Sequence, residues 1–316
     1  MINSVSTEYI YDNSGRPVKS LRIQLNAICN FDCIFCHMEG TDRSMTYMSP
    51  DEIEKIVEVA ANHGVNRIKF TGGEPLLRED IEEIIGRVRN HIDGNISLTT
   101  NGVMLPKLAN KLKKAGLDRV NISMHAIDEY NFKFITNTEK KDFLPVVGEG
   151  IKAAQNAGLG PVKINFVVMK NINENEIDNM INFCAENQCI LQLIEFEANR
   201  EKEKSYEYLK YHVDIRPVED KIKKKALRVE HNDLHNRERY LINTDYGDVK
   251  IEFVKPMHNT DFCRNCTRLR VTADGNLKTC LLRENDYFNI KDSLNDIKLL
   301  DNEFIQAVRS RVPYWR

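Results

Sequence analysis

The chain has 316 residues, with 45 basic against 47 acidic side chains and a net charge of −2. So even a balance excludes the broad electropositive surface that holds nucleic acid, and no stretch approaches the roughly 20 apolar residues that cross a bilayer. Residues 1–19 are polar and carry no apolar signal region, so the expectation is a cytoplasmic protein, bound to neither nucleic acid nor membrane, whose eight cysteines stay reduced.

From Leu21 to Glu197 short apolar runs alternate with helical patterns. Residues 21–25, 67–71, 96–100, 119–124, 162–169 and 190–196 are predicted strands, short enough to be buried on both faces. The segments between them repeat at 3.6 residues, as in Ile53, Ile56, Val57, Ala60, then Ile81, Ile84, Ile85, Val88, then Leu105, Leu108, Ala109, Leu112. Ser49, Pro50 and Glu52 form the pattern of a capping box that starts the first helix, and Gly64, Gly116 and Gly158 stand where helices stop. The alternation predicts an α/β fold, a partial six-stranded (β/α) TIM-like barrel or an open parallel sheet, with functional groups at the carboxyl ends of the strands. After Glu197 the rhythm breaks into a charged stretch and then strand-like pieces near 240–243 and 249–254. The expected division is a barrel over 1–198 and a small C-terminal domain over 199–316.

Directly after the first strand, Cys29, Cys33 and Cys36 are separated by three and then two residues. Three thiolates on one short loop can hold three irons of a four-iron cluster and leave the fourth iron open. The competing reading is a zinc knuckle with His37 as fourth ligand, which adjacency to Cys36 disfavours because closed zinc sites want four ligands in tetrahedral reach. After the second strand comes Thr71-Gly72-Gly73-Glu74-Pro75, in which paired glycines admit a close ligand and the Glu74 carboxylate could accept from an amine. Together these motifs resemble the radical S-adenosylmethionine (SAM) superfamily over nearly the whole chain. The resemblance implies that the open iron chelates S-adenosyl-L-methionine, whose reductive cleavage makes a 5'-deoxyadenosyl radical, and that Phe35, Gly73 and Ser123 contact this cofactor.

A second triplet, Cys263, Cys266 and Cys280, has two and thirteen intervening residues and encloses a Thr272-Ala273-Asp274-Gly275-Asn276 turn. It could hold a second cluster with one free iron, and the bland alternative is zinc with a histidine such as His258. Arg264, Arg268 and Arg270 lie in the same short segment with no acid among them, a local site for a small polyanion. This layout is similar to the GTP 3',8-cyclase family of molybdenum cofactor synthesis, which uses two three-cysteine [4Fe–4S] clusters. The resemblance places GTP at Arg22, Lys69, Thr99, Lys163, Arg268 and Arg270, and implies an electron donor and a downstream molybdopterin-pathway enzyme as partners. Cations around one mouth suit a triphosphate; taken singly, Arg22 and Lys163 could be rim ion-pair formers, Thr99 strand filler and Ser123 a small barrel residue.

Some residues depart from the family pattern. His125 replaces an aspartate and reads as a hydrogen-bonded barrel residue, Gln192 stands where bacterial members carry an arginine, and the Gly-Gly tail is absent from Arg311-Val312-Pro313-Tyr314-Trp315-Arg316. Cys184 and Cys189 complete apolar patterns and are expected in the core. Two alternatives stay open: a radical enzyme with an auxiliary cluster that acts on a peptide or another nucleotide, and a non-catalytic iron–sulfur or zinc protein.

Overall fold

The computed structural model describes residues 9–41, 45–138, 142–232 and 234–315. Six parallel strands follow one another in sequence order: β1 (Ser20–Gln24), β2 (Arg67–Thr71), β3 (Asn95–Thr100), β4 (Arg119–Ser123), β5 (Lys163–Val168) and β6 (Ile190–Glu195). Each predicted strand lies within one residue of these bounds at either end. The connecting helices are α1 (Pro50–Asn62), α2 (Ile81–Arg89), α3 (Leu105–Ala115), α4 (Glu129–Thr136), α5 (Leu144–Asn156) and α6 (Ile177–Glu186). The capping box at α1 forms as expected, Ser49 accepting from the Glu52 amide while the Glu52 carboxylate accepts from Ser49 N–H. Gly64, Gly116 and Gly158 follow α1, α3 and α5 at φ of 80°, 108° and 71°, the left-handed region that ends a helix.

The rest of the chain adds α7 (Tyr206–Tyr211), α8 (Arg216–Lys225), β7 (Arg228–Asn232), β8 (Arg237–Thr244), β9 (Gly247–Val254), α9 (Thr260–Arg264), β10 (Arg268–Val271), β11 (Asn276–Lys278), β12 (Tyr287–Asn289) and α10 (Ile297–Arg309). These strands extend the same sheet at both edges. β9 pairs in parallel with β6, and β10 pairs in parallel with β1, so the sheet runs β12-β11-β10-β1-β2-β3-β4-β5-β6-β9-β8-β7.

The two faces of the sheet differ in chemistry, because successive side chains on a strand point to opposite sides. Ile23, Phe70, Leu98, Ile122, Ile164 and Leu193 join Ile53, Ile56, Ile84, Leu112 and Ile151 of the helices in one buried apolar core. Each such side chain contributes roughly 1.5–3 kcal/mol relative to exposure. The alternate residues Arg22, Lys69, Thr99, Asn121, Lys163 and Gln192 turn the other way and line an interior cavity. Both faces are covered, as expected, but the inner one is polar. A closed (β/α) barrel ordinarily fills its interior with branched apolar side chains, so the polar lining of this open sheet marks room kept for a ligand.

Candidate active site

The loop carrying the first triplet is docked on α4. Asp32 and Ile34 donate their N–H groups to the carbonyls of Thr136 and Ile135 at 3.1 and 3.0 Å, and Phe31 packs between the rings of Phe132 and Phe143. Cys29, Cys33 and Cys36 all line the cavity wall. Burial pushes the Cys29 thiol up to about 11, and burial followed by the neighbouring Cys36 and Cys29 raises Cys33 further. Three thiols on one short loop at a cavity wall suit a metal cluster, which would take them as thiolates. His37, the candidate zinc ligand, instead accepts at Nδ1 from the Glu39 amide at 3.1 Å.

The Gly-Gly-Glu-Pro segment is stitched to the same loop. Gly73 N–H donates to Asn26 O at 2.9 Å and Glu74 N–H to Ile28 O at 2.7 Å, next to Cys29. A Cβ at position 73 would overlap the Ile28 carbonyl, so glycine there is a packing requirement. The expectation that the Glu74 carboxylate accepts from a ligand amine is corrected. It is 1% exposed and already accepts from Thr100 Oγ1 and Asn101 N–H, both at 2.7 Å, and from Leu76 N–H at 3.0 Å. Burial still pushes its pKa up to about 7. Glu74 therefore ties the loop after β2 to the end of β3.

Phe35 and Ser123 line the cavity beside His125, whose ring makes a T-shaped contact with that of Phe35, the centroids 4.4 Å apart. His125 is the hydrogen-bonded barrel residue expected: Val167 N–H donates to its Nδ1 at 3.0 Å, and burial lowers its pKa to about 3. Cys184 and Cys189 are buried in the core, also as expected.

The second triplet opens onto the same cavity from the other side, Cys263 in α9, Cys266 just after it and Cys280 beyond β11. Arg16, held by Asp12 at 2.7 Å, donates to the Cys263 carbonyl at 2.8 Å, and Arg311 donates to the Cys266 carbonyl at 2.5 Å. Both ends of the chain thus fasten this loop. Burial raises Cys263 and Cys280, whereas at Cys266 the charges of Arg311, Arg268 and Arg16 outweigh burial and lower its pKa. A thiol whose pKa is lowered by neighbouring arginines, in one segment with two further cysteines, fits metal ligation. His258, the candidate zinc ligand here, has its Nε2 engaged by Glu203 at 3.1 Å. Tyr314 lines the cavity and the Trp315 N–H donates to Cys263 Sγ at 3.4 Å.

The six triplet cysteines and the residues expected to contact S-adenosylmethionine and GTP line one cavity of about 1110 Å³, whereas Arg264, grouped with Arg268 and Arg270 in the sequence, does not line it. Strand register explains the concentration of charge. Arg270, Arg22 and Lys69 stand at one level on β10, β1 and β2, and the same level continues through Ser97 to Arg119 on β4. Like charges on neighbouring strands repel, and one carboxylate relieves them: Glu39 accepts from Arg22 Nη1 at 3.4 Å and Arg270 Nη1 at 2.5 Å. Lys163 is paired in the same way with Glu252 at 2.6 Å. Burial pulls Lys163 down to about 8; at Glu252 burial is outweighed by Lys163, Arg237 and Arg239, which hold it down to about 2, so the pair is ionised at neutral pH. Lys69 and Arg268 have no hydrogen-bonded or ion-paired side-chain partner among the described residues.

Sequence reasoning missed Glu39, Glu252, Arg119, Arg237 and Arg239. The alternation Arg237, Arg239, Leu241 within β8 was a usable signal for an inward face. Glu39 had none, because it sits in a loop with φ of 55° that no periodicity describes.

Residues 23–184 match the radical SAM superfamily and residues 189–315 match Molybdenum Cofactor Synthesis C. The chain is 56% identical over 305 residues to "Probable GTP 3',8-cyclase" of Thermoplasma volcanium, a match covering 96% of this chain and 92% of that one. It is 45% identical over 312 residues to the protein of the same name from Thermococcus kodakarensis, covering 97% and 100%. Among solved structures, SuiB of Streptococcus suis bound to S-adenosylmethionine superposes with TM-score 0.61 at 16% identity over 94% of this chain and 65% of that chain. Native anSMEcpe with bound AdoMet and a peptide superposes with TM-score 0.59 at 17% identity over 93% and 84%. At such identities these two structures speak for the fold alone. Two cysteine triplets on one charged cavity, two family matches end to end and relatives alike over their whole length lead to one statement: the chain belongs to the radical SAM superfamily and, within it, to the GTP 3',8-cyclase family.

Proposed function

We propose that this protein is a radical SAM GTP 3',8-cyclase, a lyase that converts GTP to (8S)-3',8-cyclo-7,8-dihydroguanosine 5'-triphosphate in molybdenum cofactor biosynthesis. The observation that carries this reading is the joining of both cysteine triplets to one cavity whose wall between them is a row of cations. When bound, S-adenosylmethionine and the first of two [4Fe–4S] clusters supply one-electron hydrogen-atom abstraction, which no side chain performs.

The chain's own residues bind and orient. Cys29, Cys33 and Cys36 hold the first cluster, Gly73 lets the cofactor approach the backbone, and Phe35 with Ser123 borders it. The neutral His125 behind Phe35 adds packing and no charge. Cys263, Cys266 and Cys280 hold the second cluster at the substrate end. Arg22, Lys69, Thr99, Lys163, Arg268 and Arg270 receive GTP, the cations taking the phosphates through charge-assisted bonds that a dry cavity strengthens. An electron donor is required for the first step, and the cyclised nucleotide passes to a downstream molybdopterin-pathway enzyme. A cytoplasmic, reducing compartment suits the six ligand thiols, and among the described residues no helix is long and apolar enough to cross a membrane.

The test is anaerobic incubation of the reconstituted protein with reductant, S-adenosylmethionine and GTP. Formation of 5'-deoxyadenosine together with a cyclised nucleotide is the expected result. Deoxyadenosine without GTP consumption would overturn the cyclase reading and leave the superfamily intact.

A further inference from the structure

One part of the inner face is a row of two amides and a carboxylate that ends on an arginine. Asn165, Gln192, Glu252 and Arg239 stand in register on β5, β6, β9 and β8. Gln192 Nε2 donates to Asn165 Oδ1 at 2.9 Å, and Asn121 Nδ2 donates to the same oxygen at 3.4 Å. The other end of the Gln192 amide accepts from Arg237 Nη1 at 3.2 Å, and Arg237 Nε donates to the Leu234 carbonyl at 3.3 Å.

A buried polar network is costly unless its members are satisfied, and this one is incomplete. Asn121 Oδ1 is buried without a partner among the described residues, and Arg237, which lines the cavity, uses Nε and Nη1 of its five-donor guanidinium in these bonds. Charge is also left over. Lys163 and Arg239 occupy the two oxygens of Glu252 at hydrogen-bonding distance, whereas Arg237 stands 3.9 Å away. Its guanidinium is therefore fixed on two sides, incompletely neutralised, and has donors to spare toward the cavity. That is the state of a group prepared for an anion.

We infer that Arg237, held in place by Gln192, is a further residue that binds the triphosphate of the nucleotide in this cavity. The inference rests on the nucleotide reading above and adds a cation from β8, on the opposite edge of the sheet from Arg268 and Arg270. Gln192 is then a positioning residue: it contributes no charge and aims one.

Calorimetric titration of the anaerobically reconstituted holoenzyme with GTP, GDP and GMP tests this. Arg237→Ala is expected to weaken GTP roughly 10- to 100-fold and GMP less than about threefold, since charge-assisted bonds to the outer phosphates are lost. Arg237→Lys should recover part of the GTP affinity, and Gln192→Leu should weaken GTP by roughly three- to tenfold with an unchanged melting temperature and iron content. Should Arg237→Ala fail to fold, Arg237→Gln removes the charge and can keep the bond to Gln192. Unchanged GTP affinity, or equal losses for GTP and GMP, would overturn the inference alone. A wild-type protein that binds none of the three nucleotides would overturn it together with the cyclase reading.

Discussion

Glu39 and Arg270 lie 231 residues apart in sequence, yet the carboxylate of one accepts from the guanidinium of the other at 2.5 Å inside the cavity. Glu39 also accepts from Thr71 Oγ1 at 2.9 Å and from Arg22 at 3.4 Å. Burial opposes its charge, but Arg22 and Arg270 outweigh burial and hold it well below the ordinary carboxylate range. The loop that follows Cys36 thus places an internal anion on two of the arginines proposed for GTP.

An internal anion there competes with phosphate. Glu39→Gln should lower the Kd for GTP by roughly three- to tenfold, about 1 kcal/mol, through removal of one like charge. Equilibrium titration with GTP checks this, and weaker binding would mean that Glu39 instead aims the two arginines.

Arg268 is the converse case, a cation with no hydrogen-bonded or ion-paired side-chain partner among the described residues. Burial, followed by Arg22 and Arg270, pushes its pKa down, so an anion beside it is strongly favoured. Arg268→Ala should weaken GTP at least about tenfold while the first cluster and S-adenosylmethionine cleavage without GTP persist. Loss of the cluster absorbance in this variant would assign the arginine a structural role.

Gly73→Ala forces a methyl group onto the Ile28 backbone, which cannot rotate away. A cost of about 1–3 kcal/mol is expected from such overpacking, lowering the melting temperature by roughly 2–5 °C. Because Ile28 adjoins Cys29, iron content should fall from about eight toward about four per chain, with the second triplet still loaded. Full iron content at an unchanged melting temperature would show that the loop yields.

Lys163 supplies a pH signature. Burial lowers it from 10.5 to about 8 despite Glu252, so its ammonium is lost as pH rises through about 8. GTP affinity should fall roughly tenfold between pH 7 and pH 9. Stability moves the other way: the unfolded chain keeps this proton to higher pH, so the fold carries a penalty below about 8 that is relieved between about 8 and 10.5. Titration and melting of wild type against Lys163→Met test both slopes, and a variant that retains the wild-type pH dependence of binding would assign it to another group.

Much of the fold was legible in the sequence because it is written locally. Strand alternation and helical period are properties of neighbouring residues, and they located β1 to β6 within one residue at either end. The second edge of the sheet was not legible in the same way: β9 and β10 look like any short strands until they pair with β6 and β1. Glu74 shows the same limit at the site. Its motif suggested an open carboxylate, and only the position of Thr100 and Asn101 at the end of β3 shows where its oxygens are used.

By itself, then, the amino-acid sequence determined the two cysteine triplets, the strand–helix alternation that sets the first of them at a strand end, and the cations that alternate along β1, β2 and β5. Tertiary structure alone decided which charges share a carboxylate, and that Arg16 and Arg311 clasp the second triplet. The physical reason is distance along the chain. Spacing fixes what one short loop can ligate, whereas the partner of a buried charge is whichever group the curled sheet brings within hydrogen-bonding reach, and for Glu39 that group is Arg270, more than two hundred residues away.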